Sequence, residues 1–410
     1  MGTDRFNKKF DEIRTTLNSN SGLFQNNGSA LYDRSALYHV HGEYNFDVAG
    51  LEYLKVGANA RLYTPDTRGT VFADTGDIKI TNWEVGAYLG VEKKFFEDKL
   101  AISATLRGDK NQNFNVIATP AASIVFKPKP GSFLRASFSA AVRNPTLSDQ
   151  YLDLNVGPAT LRGNLNGVQD LVTVESFNDY RVSQNPMDLD SFDIRAVRPE
   201  RVKTAEVGYR TTLWNKVYLD ASYYFSIYDD FLGFNIGLVP TITENVLQDV
   251  DAFRYSANSE NQVTTQGFSV GLSYYLWNYF QLNGNYSWNR LNVEFDDDPI
   301  IPAFNTPEHK FNLGFGGRNI QAGRLKGFGF NVNYKWVQGF LFEGSPQFTG
   351  LIPNYGLLNV QLNKSFPKAN LTAKVGASNV LNNLHYEAYG GPLIGRLAYI
   401  SFTYDFKKLD

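Results

Sequence analysis

Three clusters in this 410-residue sequence carry residue types able to do chemistry. Gly267, Phe268, Ser269, Val270 and Gly271 have the G-x-S-x-G spacing of a hydrolase nucleophile, which works only where the serine stands on a sharp strand-to-helix turn. Apolar residues alternate straight through Ser269, so a strand face lined by glycine and serine is expected and no hydrolysis. His39, His41 and Glu43 share one face of another alternating run, with Tyr38, Val40, Tyr44 and Phe46 on the other. Two imidazoles and a carboxylate suit a metal. Alternate residues on one strand stand about 6.6–7 Å apart, however, and a hydrogen-bonding patch is the expectation. Asp296, Asp297 and Asp298, with Glu294 nearby, could hold calcium, although not at EF-hand spacing. The simpler expectation is a solvated acidic loop, or one bridged through divalent ions to lipopolysaccharide. His309 and His385 show no partner spacing.

A fourth, looser set lies between residues 144 and 200: Asp149, Tyr151, Asp153, Arg162, Asp179, Tyr180, Arg181 and Arg195. About 57 residues are too many for a mere connector. Loops held on a rigid scaffold are where binding residues collect. Aromatics beside charges could grip a polar ligand such as a sugar, a peptide or a chelate; the alternative is a packed lid that touches none.

The elements that must position these residues read as strands. Phe268, Val270, Leu272 and Tyr274 alternate with Ser269, Gly271 and Ser273; Phe280, Leu282, Tyr286 and Trp288 alternate with Gln281, Asn283, Asn285, Ser287 and Asn289. The same period recurs at Leu100–Arg107, Leu134–Val142, Val217–Ile227, Phe328–Trp336 and Leu371–Ser378. A one-residue slip would put the whole Asn/Gln row into the apolar phase, so the register is well specified. About 15 such segments follow from Leu31 onward, most of the ~9–11 residues that cross a tilted bilayer. Short links at Asp47–Gly50, Phe96–Lys99, Lys127–Gly131, Trp214–Lys216, Trp277–Asn278 and Ser365–Ala369 are separated by long ones near 64–79, 144–200, 231–262, 296–306, 341–353 and 380–393. Short turns on one side and long loops on the other is the layout of an outer-membrane barrel.

Composition agrees. Aromatics make up 15% of the chain, with 24 Tyr and 31 Phe, enough to supply interfacial girdles. The polar face is mostly Gly, Ser, Asn and Gln, unlike the Lys- and Glu-rich face of a soluble sandwich. No stretch approaches the ~20 apolar residues of a spanning helix. A net charge of -2 without a basic stripe argues against a nucleic-acid partner. The absence of cysteine excludes disulfides and thiolate metal sites and suits passage through an oxidising periplasm.

Two motifs flank the longest loop. Arg143, Pro145, Thr146, Leu147, Asp149 and Tyr151 resemble the R-x-P-[ST]-L-x-[DE]-x-Y pattern of TonB-dependent outer-membrane receptors. Val197, Pro199, Glu200, Val202, Glu206 and Gly208 resemble the pattern that follows it in that family. Ala377–Asn383, Gly395, Arg396 and Ile400–Phe406 are similar to its last two strands. The resemblance covers about Tyr38 to Phe406 and implies a barrel of about 22 strands holding an N-terminal plug. It also implies energy-coupled import of a scarce solute, through the TonB coupling protein of the inner membrane.

The expectations are therefore these. The chain is an all-β, antiparallel transmembrane β-barrel seen in part, about 15 strands long, in the bacterial outer membrane. Residues 1–30 form an incomplete strand or loop and residues 31–410 the barrel, and Met1 opens a fragment whose plug lies upstream. No cofactor and no enzymatic step are implied. The partners are lipid and lipopolysaccharide, TonB through the missing part, a small solute bound by Asp149, Tyr151, Asp153, Arg162, Tyr180, Arg181 and Arg195, and a surface lipoprotein. A passive porin and a surface adhesin are the alternatives.

Overall fold

The computed structural model describes residues 2–18, 28–244, 246–292, 304–321, 323–344 and 349–406. Its first element corrects an expectation: within the stretch read as strand or loop lies a helix, α1 (Asp4–Thr15). Thr3 caps it by accepting from the Phe6 N–H, and Lys9–Glu12 and Asp11–Arg14 pair one turn apart. Such caps and pairs hold a helix that buries none of its residues.

Six strands follow: β1 (Ala36–Phe46), β2 (Tyr53–Thr64), β3 (Asn82–Phe95), β4 (Leu100–Asn111), β5 (Ile117–Lys129) and β6 (Ser132–Arg143). The chain then enters the long loop as α2 (Leu147–Tyr151), β7 (Asp153–Asn155), β8 (Thr160–Arg162), β9 (Val168–Val172), α3 (Val174–Ser183) and β10 (Ser191–Ile194). It returns as β11 (Glu200–Leu213) and β12 (Val217–Asp229), leaves as the hairpin β13 (Leu232–Thr243) and β14 (Val246–Asn258), and returns as β15 (Val263–Leu276), β16 (Phe280–Asn292), β17 (His309–Ile320) and β18 (Phe328–Val337). A small loop pair, β19 (Phe340–Phe342) and β20 (Gly350–Ile352), precedes β21 (Tyr355–Phe366), β22 (Leu371–Ser378) and β23 (Leu397–Tyr404).

Fifteen of these strands make one antiparallel sheet in sequence order, with β6 beside β11, β12 beside β15 and β18 beside β21. The expected strand number and antiparallel pairing are thus observed. Short turns do alternate with long loops, with one departure: β4 and β5 are joined on the long-loop side by residues 112–116 only. The sheet's outer strands are β1 and β23, and every residue of β1 is exposed.

The apolar phase faces outward. Leu106, Phe138, Val207, Phe268, Leu313, Leu362 and Val375 are all exposed, as a lipid-facing surface requires. Aromatics band its two ends: Phe311 and Trp336 stack at 5.6 Å toward the long loops, while Trp214 and Trp277 stand almost free at the short turns. Among the described residues, one closed core, of Val337, Ile352 and Tyr355, sits where β18 and β21 meet their loop, and two more lie off the wall. Loops 144–199 and 230–262 fold together into a second, six-stranded sheet in the order β10-β9-β13-β14-β8-β7. Leu171, Ile194, Tyr255 and Ala257 are buried at one core of this roof, and Val172, Phe177, Tyr180 and Leu238 at another.

Candidate functional site

The inward phase of the wall carries charge where the long loop meets it. Arg61 on β2, Glu84 on β3, and Arg107 and Asp109 on β4 point into the lumen near the long-loop side, where they line a cavity of about 560 Å³. Glu84 is the junction. Its Oε1 accepts from Asn111 Nδ2 and from Asn144 Nδ2, both at 3.1 Å, and its Oε2 lies 3.8 Å from the Arg61 guanidinium. Arg107 donates from Nε to Asp109 at 2.7 Å and from Nη2 to Asn59 at 2.8 Å. The guanidinium groups are only partly covered, so this cradle can offer charge-assisted hydrogen bonds to a polar or anionic ligand.

The long loop is pinned to the same rim. Thr146 caps α2 in a reciprocal capping box with Asp149, which brings Gln150 down onto the wall. Gln150 Oε1 accepts from Asn82 Nδ2 at 3.0 Å and from Asn113 Nδ2 at 2.7 Å, while its Nε2 donates to the Pro145 carbonyl at 2.6 Å. Gln150, Asn82 and Asn111 are all buried.

The residues singled out in the loop are spread over the roof. Tyr151, Asp153 and Arg162 are brought together around a cleft of about 320 Å³. Asp153 and Arg162 pair at 3.1 Å, and the Arg162 guanidinium lies 4.5 Å from the centre of the Phe253 ring. Burial works against that charge, yet Tyr255 and Asp153 keep the Arg162 guanidinium above its ordinary value. The Tyr151 hydroxyl accepts from Asn113 Nδ2 at 2.6 Å, which ties this cleft to the cradle. Asp149 serves the α2 cap and accepts from Ser256 Oγ at 3.3 Å. Arg195 pairs with Glu260 at 2.5 Å beside a separate cleft of about 170 Å³. Asp179 and Arg181 are exposed on α3, and Tyr180 is fully buried in the roof. Asp296, Asp297 and Asp298 lie outside the described residues.

Two other motifs resolve plainly. Ser269 sits mid-strand in β15, its hydroxyl 3.2 Å from that of Ser222, with no turn to raise it as a nucleophile. His41 Nε2 is 3.4 Å from the Tyr88 hydroxyl, Tyr88 donates to Glu43, and Lys55 pairs with Glu43 at 2.9 Å: a luminal hydrogen-bonding patch. Sequence reasoning missed Arg61, Glu84, Arg107 and Asp109. Their shared inward parity at the loop ends of neighbouring strands was the available signal.

A family profile described as "TonB dependent receptor-like, beta-barrel" matches residues 2–380. The chain belongs to this family. As a TonB-dependent receptor barrel it lies in the outer membrane, and the resemblance carried by the motifs around the long loop is confirmed. Solved structures share the fold. The siderophore receptor PirA of Acinetobacter baumannii is 14% identical with a TM-score of 0.61, covering 91% of this chain and 55% of that one. The FrpB iron transporter of Neisseria meningitidis (F3-3 variant) is 13% identical at 0.63, covering 92% and 56%. A mutant of the ferric enterobactin receptor PfeA of Pseudomonas aeruginosa is 14% identical at 0.63, covering 90% and 53%. The chain thus spans a little over half the length of the receptors it matches. A search of curated proteins found no match.

Proposed function

We propose that this chain is the larger part of the wall, and the outer roof, of a receptor that captures a scarce solute and imports it by TonB-dependent transport. The solute is a ferric chelate. The likeness in fold to a siderophore receptor, an iron transporter and a ferric enterobactin receptor supports that choice. Further strands of the whole receptor pair with β1 and β23, a plug fills the lumen, and TonB acts through the plug. Lipopolysaccharide surrounds the wall and a surface lipoprotein meets the roof.

The observation that carries the reading is the joint between loop and lumen. Gln150 fixes the longest loop to Asn82 and Asn113 at the edge of the charged cradle, so a ligand gripped outside is already over the passage. Arg61 and Arg107 meet its anionic groups there. Asp153 and Arg162 hold it from the roof.

The test is uptake of ferric enterobactin carrying radio-iron by cells whose only receptor for it is the full-length protein. Uptake is expected to vanish without TonB. Arg61→Ala with Arg107→Ala is expected to raise the half-saturating concentration about 10–100-fold, the equivalent of one or two charged hydrogen bonds. Uptake that continues without TonB and saturates normally in the variant would mean a passive pore.

A further inference from the structure

Seven neighbouring wall strands, β15 to β18 and β21 to β23, contain no Asp and no Glu. They do contain Lys310, Lys335 and Lys374 on the inward phase. Lys310 stands opposite Ser287, Lys335 opposite Asn312, and Lys374 between Asn363 and Ser401. None of the three makes an ion pair among the described residues. The other sector differs. From β2 to β12 four luminal cations are answered closely by carboxylates: Lys55 by Glu43, Arg107 by Asp109, and Arg135 and Arg210 by Asp220, all within 3.0 Å.

Between the lysines the wall is lined by amides and glycine. Ser273, Asn283, Gly314, Asn333 and Asn359 form one straight row across five strands. Gln281, Gly316, Asn331 and Gln361 form the next row toward the short turns. A hollow of about 420 Å³ opens over Asn283, Asn285, Asn312 and Asn333. Gly314 makes it possible: a Cβ there would sit 2.1 Å from Asn283 Oδ1 and 3.1 Å from Asn333 Nδ2.

The heights are ordered. Lys310 and Lys335 lie at the long-loop end, one pleat apart on adjacent strands. Lys335 is level with Leu357 on β21 and Lys374 is level with Asn363. The six-residue drop is about 20 Å at ~3.3 Å per residue. Two charges that far apart, in water screened over about 8 Å, act as separate stations.

We propose that the luminal face of β15 to β23 is the path of an anionic solute, received by Lys310 and Lys335 near the mouth and drawn on by Lys374 toward the periplasm. This deepens the import reading and rests on it. Neutral hydrogen bonds contribute only about 1 kcal/mol each, so the amides hold the solute loosely enough for it to leave. Below the cradle at its mouth, the opposite sector, whose charges pair with one another, exerts no comparable pull.

The chain contains no cysteine, which permits a direct test. Single cysteines are placed in the full-length receptor at Asn333 on the path (Asn333→Cys) and at Ser137 in the paired sector (Ser137→Cys). Energised cells are labelled with methanethiosulfonate reagents of similar size, one bearing a sulfonate and one a trimethylammonium group, and read against the receptor without the added cysteine. The ratio of anionic to cationic labelling at Asn333→Cys is expected to exceed that at Ser137→Cys about fivefold, from local enrichment of anions. Adding Lys335→Gln and Lys374→Gln is expected to abolish the difference. Equal ratios, a ratio indifferent to the lysine changes, or no labelling at Asn333→Cys would each overturn the proposal. Asn359→Cys, opposite Asn333 on β21, repeats the measurement if Asn333→Cys does not assemble. Labelling needs no transported ligand, so it is judged apart from uptake of radio-iron.

Discussion

The ring of Tyr88 lies directly over Gly57 on the neighbouring strand: a Cβ at Gly57 would stand 2.2 Å from Tyr88 Cζ. Tyr88 uses that seat to reach across and donate to Glu43, which also takes Lys55 at 2.9 Å. A side chain at position 57 must therefore eject the ring. Gly57→Val is predicted to destabilise the wall by about 1–3 kcal/mol, the usual cost of forcing bulk into a filled space. Urea unfolding of the reconstituted full-length receptor measures it. Tyr88→Ser should rescue Gly57→Val, and a variant as unstable with Tyr88→Ser as without it would show that the ring is not the obstacle.

Gln150 is the hook of the long loop. Gln150→Leu keeps the volume but leaves the Asn82 and Asn113 amides and the Pro145 carbonyl without this partner. Losing one side of buried hydrogen bonds costs about 1–3 kcal/mol. Amide hydrogen exchange across residues 144–152 is predicted to speed up by about tenfold or more, with β2 to β4 unchanged. Unaltered exchange there would separate the loop from the wall.

Asp74 sets a pH dependence in the loop between β2 and β3. Burial alone would raise its pKa, but the Thr67 hydroxyl at 2.6 Å, the Thr67 N–H and the Gly69 N–H at 2.7 Å outweigh burial and hold it below the ordinary 3.8. A depressed carboxylate pKa contributes stability that is present above the unfolded value and lost as pH falls through the folded one. Residues 65–81 are thus predicted to resist proteolysis from neutral pH down to about pH 5 and to loosen only below the ordinary carboxylate range. Asp74→Asn should be loose throughout. A loop that opens between neutral pH and about pH 5 would place the cause elsewhere.

Tyr180 offers a test of the roof. Its side chain is wholly buried and its hydroxyl has no hydrogen-bond partner among the described residues. Removing a buried, unpaired hydroxyl relieves a desolvation cost of about 1–3 kcal/mol. Tyr180→Phe is predicted to slow hydrogen exchange in α3 and β13 and to leave uptake unchanged. Weaker uptake at equal receptor abundance would restore Tyr180 to the ligand-binding set.

Much of the wall was legible because period-two alternation is written in adjacent residues: β15 and β16 could be phased from Phe268 to Trp288 without knowing their neighbours. The loops were less so. β8 pairs in parallel with β14, some ninety positions later, and Leu171 of β9 meets Tyr255 of β14 only because both strands flank β13. Nothing local to either segment announces it. The cradle was hidden for the same reason, since Arg61, Glu84 and Arg107 become neighbours only through the pairings of β2 with β3 and β3 with β4. In α1 the signal was present but weak: Phe6, Phe10 and Ile13 recur at the i, i+4, i+7 spacing of a helix, yet all three are exposed and the segment is only twelve residues long. Charge distribution, by contrast, was readable throughout: the want of acidic residues after β14 within the wall needs only the strand boundaries.

The roof owns its cores, and the wall does not share them. Substitutions on the outer side of β13, β14 or α3 are therefore answered within the roof, while the lipid-facing strands keep their register. That separation lets the outline of the roof change while the wall in the membrane stays as it was.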